Sequence, residues 1–134
     1  MELADLKAIE ALFSEFAWCA DRGLGEKMAA LFAEDGVLAI GELEFQGHGR
    51  IGLVCQQRAQ PPRYTRHTWS GLRVAEDAGD WVRTTAIQTT FERSDTNSSP
   101  LVRVSDLFDQ LIKTEAGIWR FVRREISRQL SVGA

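Results

Sequence analysis

Only two histidines, His48 and His67, stand in this chain. Histidine is the one side chain whose ordinary pKa lies near neutrality, so these two bound the search for a general base. His67 lies early in a segment of strand-like composition. Period-two alternation there puts His67, Trp69 and Gly71 on one face and Arg66, Thr68 and Ser70 on the other. Two readings of His67 stand side by side: a buried histidine satisfied by a backbone carbonyl, or a base held ready for substrate. His48 falls between Gly47 and Gly49 in an expected loop, where a solvated side chain is the simpler reading. A histidine base needs an acid to fix its tautomer and to stabilise the imidazolium, and Asp21 is the best-placed carboxylate. At 100° per residue it projects from the edge of the apolar stripe formed by Leu6, Phe13 and Ala17, so its carboxylate faces inward. Its place near a helix end followed by Arg22 and Gly23 also fits a solvated turn residue. An acid in a last turn is repelled by the helix dipole, so Asp21 calls for a compensating interaction.

The elements that must position this pair are readable from periodicity. Leu6, Ile9, Phe13, Phe16 and Ala20 recur at steps of three and four, which predicts a helix over 3–20. Gly23 and Gly25 interrupt it, and Met28, Leu31 and Phe32 predict a second helix over 26–33, stopped by Asp35-Gly36. Residues 37–40 and 43–45 read as short strands around Gly41, and 50–59 as a third helix that cannot pass Pro61-Pro62. Residues 64–74, 81–93, 101–113 and 118–129 are rich in Val, Thr, Ile and aromatics and read as four long strands. Their separators, 76–80, 94–100 and 114–117, are too short for crossover helices, so these strands should be antiparallel. Helices first and strands after indicate an α+β fold with helices on one face of a curved sheet, a single domain over residues 1–134.

Composition narrows the partners. Sixteen Lys plus Arg against nineteen Asp plus Glu give a net charge of -3, which offers no broad cationic field for nucleic acid or anionic lipid. At 44 % hydrophobic residues the chain can support a core without a disulfide or metal staple. Charges at Glu2, Asp5, Lys7, Glu10 and Glu15 leave no apolar run for a signal peptide or membrane span, so a cytoplasmic location is expected. Cys19 and Cys55 lack CxxC or ligand spacing and read as core residues, so neither a metal nor a redox dithiol is expected.

The segments FAWCADRG, LFAEDGVLAIG, FQGHGRI, TRHTWSGLRV and GIWRFVRREI resemble, in order and spacing, the SnoaL-like branch of the nuclear transport factor 2-like superfamily, over nearly the whole chain. The resemblance implies a cone-shaped α+β barrel in which a bent sheet wraps a long helix. In that fold the open cone becomes a ligand cavity, and the family often dimerises through the outer sheet face, so the resemblance also implies a homodimer. Family dehydratases and isomerases, such as scytalone and bile acid dehydratases, place an aspartate and a histidine where Asp21 and His67 stand. The tyrosine such enzymes can carry falls at Phe16. A second polar group would fall near Gln88 to Thr90, where no histidine or acid is present. Arg103 and Asp106 do not reproduce the Asp-Arg-Asp spacing of limonene epoxide hydrolases.

Phe16, Trp18, Phe32, Trp69 and Phe91 are the aromatics available to line a cavity for an apolar, ring-containing ligand, or equally to fill a core. Arg124 matches a position often basic in the family. It either anchors an anionic substrate group or pairs with Asp109 across neighbouring strands. Together these readings describe a small lyase or isomerase without a cofactor, acting on a hydrophobic carbonyl compound. A non-catalytic accessory subunit, like the β subunits of aromatic-ring dioxygenases, is the alternative on the same fold.

Overall fold

The computed structural model describes residues 1–95 and 99–133. Three helices, α1 (Leu3–Arg22), α2 (Gly25–Ala29) and α3 (His48–Arg58), accompany six strands. The strands are β1 (Phe32–Ile40), β2 (Leu43–Gln46), β3 (Tyr64–Asp77), β4 (Trp81–Arg93), β5 (Leu101–Lys113) and β6 (Trp119–Val132). They form one curved, unclosed sheet in the order β2-β1-β6-β5-β4-β3. The expected α+β class and the antiparallel pairing of the four long strands both hold. The exception is local to the sheet's other half, where β1 runs parallel to β6.

The long helix forms as its periodicity predicts. Ile9, Leu12, Phe13, Phe16 and Cys19 are its buried face, and Gly23, at φ 65°, ends it in the left-handed region that glycine enters without a Cβ clash. The second helix is shorter than periodicity suggests. Phe32 and Ala33 leave it to open β1, because the Phe121 amide donates to the Leu31 carbonyl at 2.9 Å and Phe32 pairs with Phe121. His48 is not in a loop but is the first residue of α3, and its Nε2 lies 2.8 Å from the Phe32 carbonyl oxygen. Strand β3 runs on through Glu76 and Asp77, which were expected in a turn. Part of the expected 94–100 turn lies outside the described residues.

Alternation decides which strand residues face the helices. On β4 these are Val82, Thr84, Ala86, Gln88 and Thr90, and on β5 Ser105, Leu107, Asp109 and Leu111. A register shift between β5 and β6 near Leu111 gives β6 one extra residue, so Phe121 and Arg124 both turn inward despite being three positions apart. One core joins the layers: Phe13, Phe16, Phe32 and Phe121 pack ring against ring with Leu107, Leu111 and Trp119. Cys19 and Cys55 are both buried free thiols in it. Helices α2 and α3 cross at Gly25 and Gly52; a Cβ on Gly25 would lie 2.5 Å from the Gly52 carbonyl oxygen, so the contact needs glycine.

Inside this core sits an ion pair. Arg124 donates from Nε to Asp109 Oδ1 at 2.9 Å and from Nη2 to Oδ2 at 3.1 Å, and both side chains are shut off from water. Its guanidinium also lies 4.4–4.5 Å from the ring centroids of Phe13, Phe16 and Phe121. Of the two readings of Arg124, pairing with Asp109 is the one realised, and the residue is withdrawn from any ligand.

Removing one partner of a dry ion pair strands the other charge, at a typical cost of about 3–5 kcal/mol. Asp109→Ala is therefore expected to lose stability of that order in urea unfolding, and the Asp109→Leu/Arg124→Met double variant to lose less than the single one. A loss below about 1 kcal/mol for the single variant would mean that the pair is hydrated, as surface pairs are.

Candidate functional site

Between the helices and the inner face of the sheet lies a cavity of about 470 Å³, within the range of small-molecule sites. Phe16 and Ala20 of α1, Met28 of α2 and Val54 and Cys55 of α3 form its apolar side. Leu38, Ile40 and Ile126 extend that side across the sheet. His67 is part of the wall, as are Gln88 and Ser105, which are register partners on β4 and β5.

Asp21 lies behind His67, at the end of α1. Its Oδ1 is 2.5 Å from His67 Nδ1 and accepts the Thr65 hydroxyl at 3.0 Å, while its Oδ2 accepts the His67 backbone amide at 3.0 Å. Only 4 % of the Asp21 side chain and 11 % of the His67 side chain are exposed, so water competes little for these bonds. Burial pushes the Asp21 pKa up, but the hydrogen bonds from the His67 ring and amide, the charge of His67 and the Thr65 hydroxyl outweigh it. The net result lies below the ordinary aspartate value. Those donors also offset the unfavourable dipole at the end of α1. An ionised carboxylate against Nδ1 selects the tautomer with hydrogen there, which leaves Nε2 as the basic nitrogen of the ring.

The amide of Gln88 and the hydroxyl of Ser105 are buried, line the cavity and make no protein hydrogen bond among the described residues. They are polar groups free to meet a ligand. Thr65 and Ser105 were not singled out in the sequence, and Gln88 was named only as the start of the stretch where a second polar group would fall. Alternation back from His67 would have found Thr65, and alternation along β4 and β5 the other two.

At the cavity's other side stand four arginines. Arg58 comes from α3, Arg63 from the segment after the two prolines, Arg103 from β5 and Arg128 from β6. Glu92 Oε1 lies 2.9 Å from Arg63 Nη2 and 2.7 Å from Arg103 Nη1. Burial raises the Glu92 pKa, but those two guanidinium groups more than reverse it, so the carboxylate titrates below its ordinary range. Arg63 also donates to the Arg58 carbonyl oxygen at 2.6 Å.

The remaining expected site residues are dispersed. Phe16 is on the cavity wall, the one aromatic among those expected there that is. Trp18 is exposed on the outer side of α1, with the Arg22 guanidinium 3.3 Å from its ring centroid. Phe32 is core, 5.1 Å from the Phe121 ring centroid. Trp69 faces α1 beside His67 but packs edge-on to Phe13 and donates to the Ser14 hydroxyl at 3.1 Å. Phe91 is placed by alternation on the outer sheet face. Neither it nor the buried Arg124 reaches the cavity.

Known structures share this architecture. A scytalone dehydratase candidate from Novosphingobium aromaticivorans superposes with a TM-score of 0.86 at 20 % identity, covering 98 % of this chain and 89 % of that one. A hexachlorocyclohexane dehydrochlorinase, LinA type 2, gives 0.85 at 17 %, covering 98 % and 90 %. An NTF2-like protein of cystatin-like fold from Novosphingobium aromaticivorans gives 0.80 at 27 %, covering 94 % and 82 %. No curated protein matches the sequence. The family model of the SnoaL-like domain matches residues 1–125, and the chain belongs to that family.

Proposed function

We propose that this protein is a small lyase or isomerase that moves a proton on a hydrophobic, ring-containing carbonyl compound, with His67 as the base and Asp21 as its positioning residue. The observation that carries the reading is the His67 imidazole in the wall of a cavity with a broad apolar side, its Nδ1 2.5 Å from a buried carboxylate. The step uses side chains alone. Nε2 takes the hydrogen from the carbon next to the carbonyl, and the C–H electron pair moves into an enolate. The imidazolium then returns that proton, either to a β-hydroxyl that leaves as water or to another carbon. Dehydration and isomerisation share the first half. The names of two structural neighbours describe eliminations, one of water and one of hydrogen chloride, which fits a common proton abstraction.

A developing enolate oxygen needs a donor. The tyrosine of related dehydratases is replaced by Phe16, and the Gln88 amide with Ser105 beside it takes up that task. A positioned base contributes about 10²–10⁴-fold and one oxyanion donor about 10²–10³-fold. A homodimer through the outer sheet face, where Ile87, Phe91 and Phe108 are exposed, belongs to the same reading. So does a cytoplasmic setting, suited to two free thiols.

With a panel of β-hydroxy ketones, His67→Ala is expected to lower turnover by about 10²–10⁴-fold in a protein that still folds, with an unfolding midpoint lowered by the loss of one hydrogen bond to Asp21. Equal conversion by parent and variant would remove His67 from catalysis. Gln88→Leu should lower kcat more than it raises KM, because its donor acts on charge that appears only in the transition state.

Asp21 supplies a pH test of the geometry. A carboxylate whose pKa is depressed by folding adds stability above its unfolded value, about 3.9, and loses it as pH falls through the folded value. The stability gap between the parent and Asp21→Asn should therefore be full at pH 7 and shrink below about pH 4. A gap that is constant with pH in urea unfolding would show that the carboxylate is not held as its hydrogen bonds indicate.

A further inference from the structure

Four arginines line the cavity, Arg58 and Arg128 exposed and Arg63 and Arg103 half-buried, and none is used by the proton transfer. The cavity wall contains Arg58, Arg63, Arg103 and Arg128 and, among the described residues, no aspartate or glutamate. This is a chain whose net charge is -3, so the concentration of positive charge runs against its composition. Glu92, just outside the wall, shares one oxygen between Arg63 and Arg103. Even with Asp95, three residues further on, counted in full against the group, two positive charges remain in excess.

Arg58 is an exposed residue, yet partial desolvation at the cavity and then the like charges of Arg63 and Arg103 lower its pKa; Glu92 offsets part of this and Arg128 adds to it. It remains cationic at neutral pH, because arginine starts far above that range. The planar donor forks of guanidinium groups match the oxygens of carboxylates, sulfates and phosphates, and several of them together form a receptor for such a group.

The register fixes where that receptor lies relative to the base. His67 pairs with Thr90, and Thr90 pairs with Arg103, so Arg103 is two strand spacings from His67, roughly 10 Å. Gln88, Ser105 and Arg128 form the adjoining row.

We propose that the cavity takes a ligand with two ends: an apolar ring body against His67, and an oxyanion group held by Arg58, Arg63, Arg103 and Arg128. This deepens the proposed function and rests on it only for the identity of the reacting end. The substrate class is then an acidic ring compound, a carboxylate or a sulfate or phosphate ester, rather than a neutral one.

The test separates the two ideas by measuring binding apart from turnover. Titration calorimetry would use 2-naphthoate, 2-naphthyl sulfate and 2-naphthyl phosphate as anionic probes and 2-naphthylmethanol as the neutral one. Both the parent and His67→Ala should bind at least one anion about tenfold more tightly than the alcohol. That preference should shrink between about 50 mM and about 500 mM salt, and the anion that binds best identifies the headgroup. Arg58→Ala and Arg128→Ala, which leave the Glu92 bridge intact, should each weaken the anion about tenfold without weakening the alcohol, and Arg58→Lys should retain part of the effect. Equal binding of anions and alcohol, or anion binding that ignores both arginine substitutions, overturns the proposal. If anions bind as expected but acidic hydroxy ketones are not turned over, the proton-transfer reading fails and the anion receptor stands. If neutral ketones are turned over and the arginine variants do not alter kcat/KM for acidic ones, the receptor fails and the chemistry stands.

Discussion

The carboxylate of Asp21 ties the end of α1 to the beginning of β3, and the arrangement of the whole site depends on that tie. Strand β3 is a sheet edge, bonded on one side only to β4. What holds its start against the helix is a single acid that accepts a side-chain hydroxyl, a backbone amide and an imidazole from Thr65 and His67. The same bonds make an acid tolerable at the negative end of a helix. They also select the histidine tautomer. Docking of an edge strand and preparation of a base are one interaction here, so the imidazole can be oriented without further side chains devoted to it.

Charge is distributed in two distinct ways around the cavity. Arg124 is neutralised by a bidentate carboxylate and capped by three phenyl rings, which makes it structural. Arg58, Arg63, Arg103 and Arg128 share far less negative charge and border open space. Residue type alone does not separate the two roles; the number of carboxylate oxygens within reach does.

Much of this was legible in the sequence where the signal is local. The apolar stripe of α1, the spans of β4 and β5 and the inward turn of Asp21 all follow from fixed angular periods, and those periods also put His67 and Trp69 together on one face of their strand. The resemblance to the SnoaL-like family added the expectation that these two residues meet. What escaped depends on partners far apart in the chain. Phe32 becomes a strand residue because β6, some ninety positions later, supplies a parallel neighbour. The pairing of Arg124 with Asp109 was one of the two readings of that residue, but the register shift that turns Arg124 inward has no sequence signature, and Phe91 faces outward by parity that was not applied to it. The arginines come from a helix, a connecting segment and two strands, and their convergence is a property of the way the curved sheet and the helices come together.

The crossing of α2 over α3 has a consequence for how such a cavity is sized. The two backbones touch where Gly25 meets Gly52, and Met28, Val54 and Cys55 hang from these same short helices into the cavity. The ceiling height is thus set by the absence of two methyl groups outside the chamber rather than by anything inside it. A bulkier pair would lift the lintel and admit a thicker guest with every wall residue unchanged, so relatives with identical linings need not share a diet.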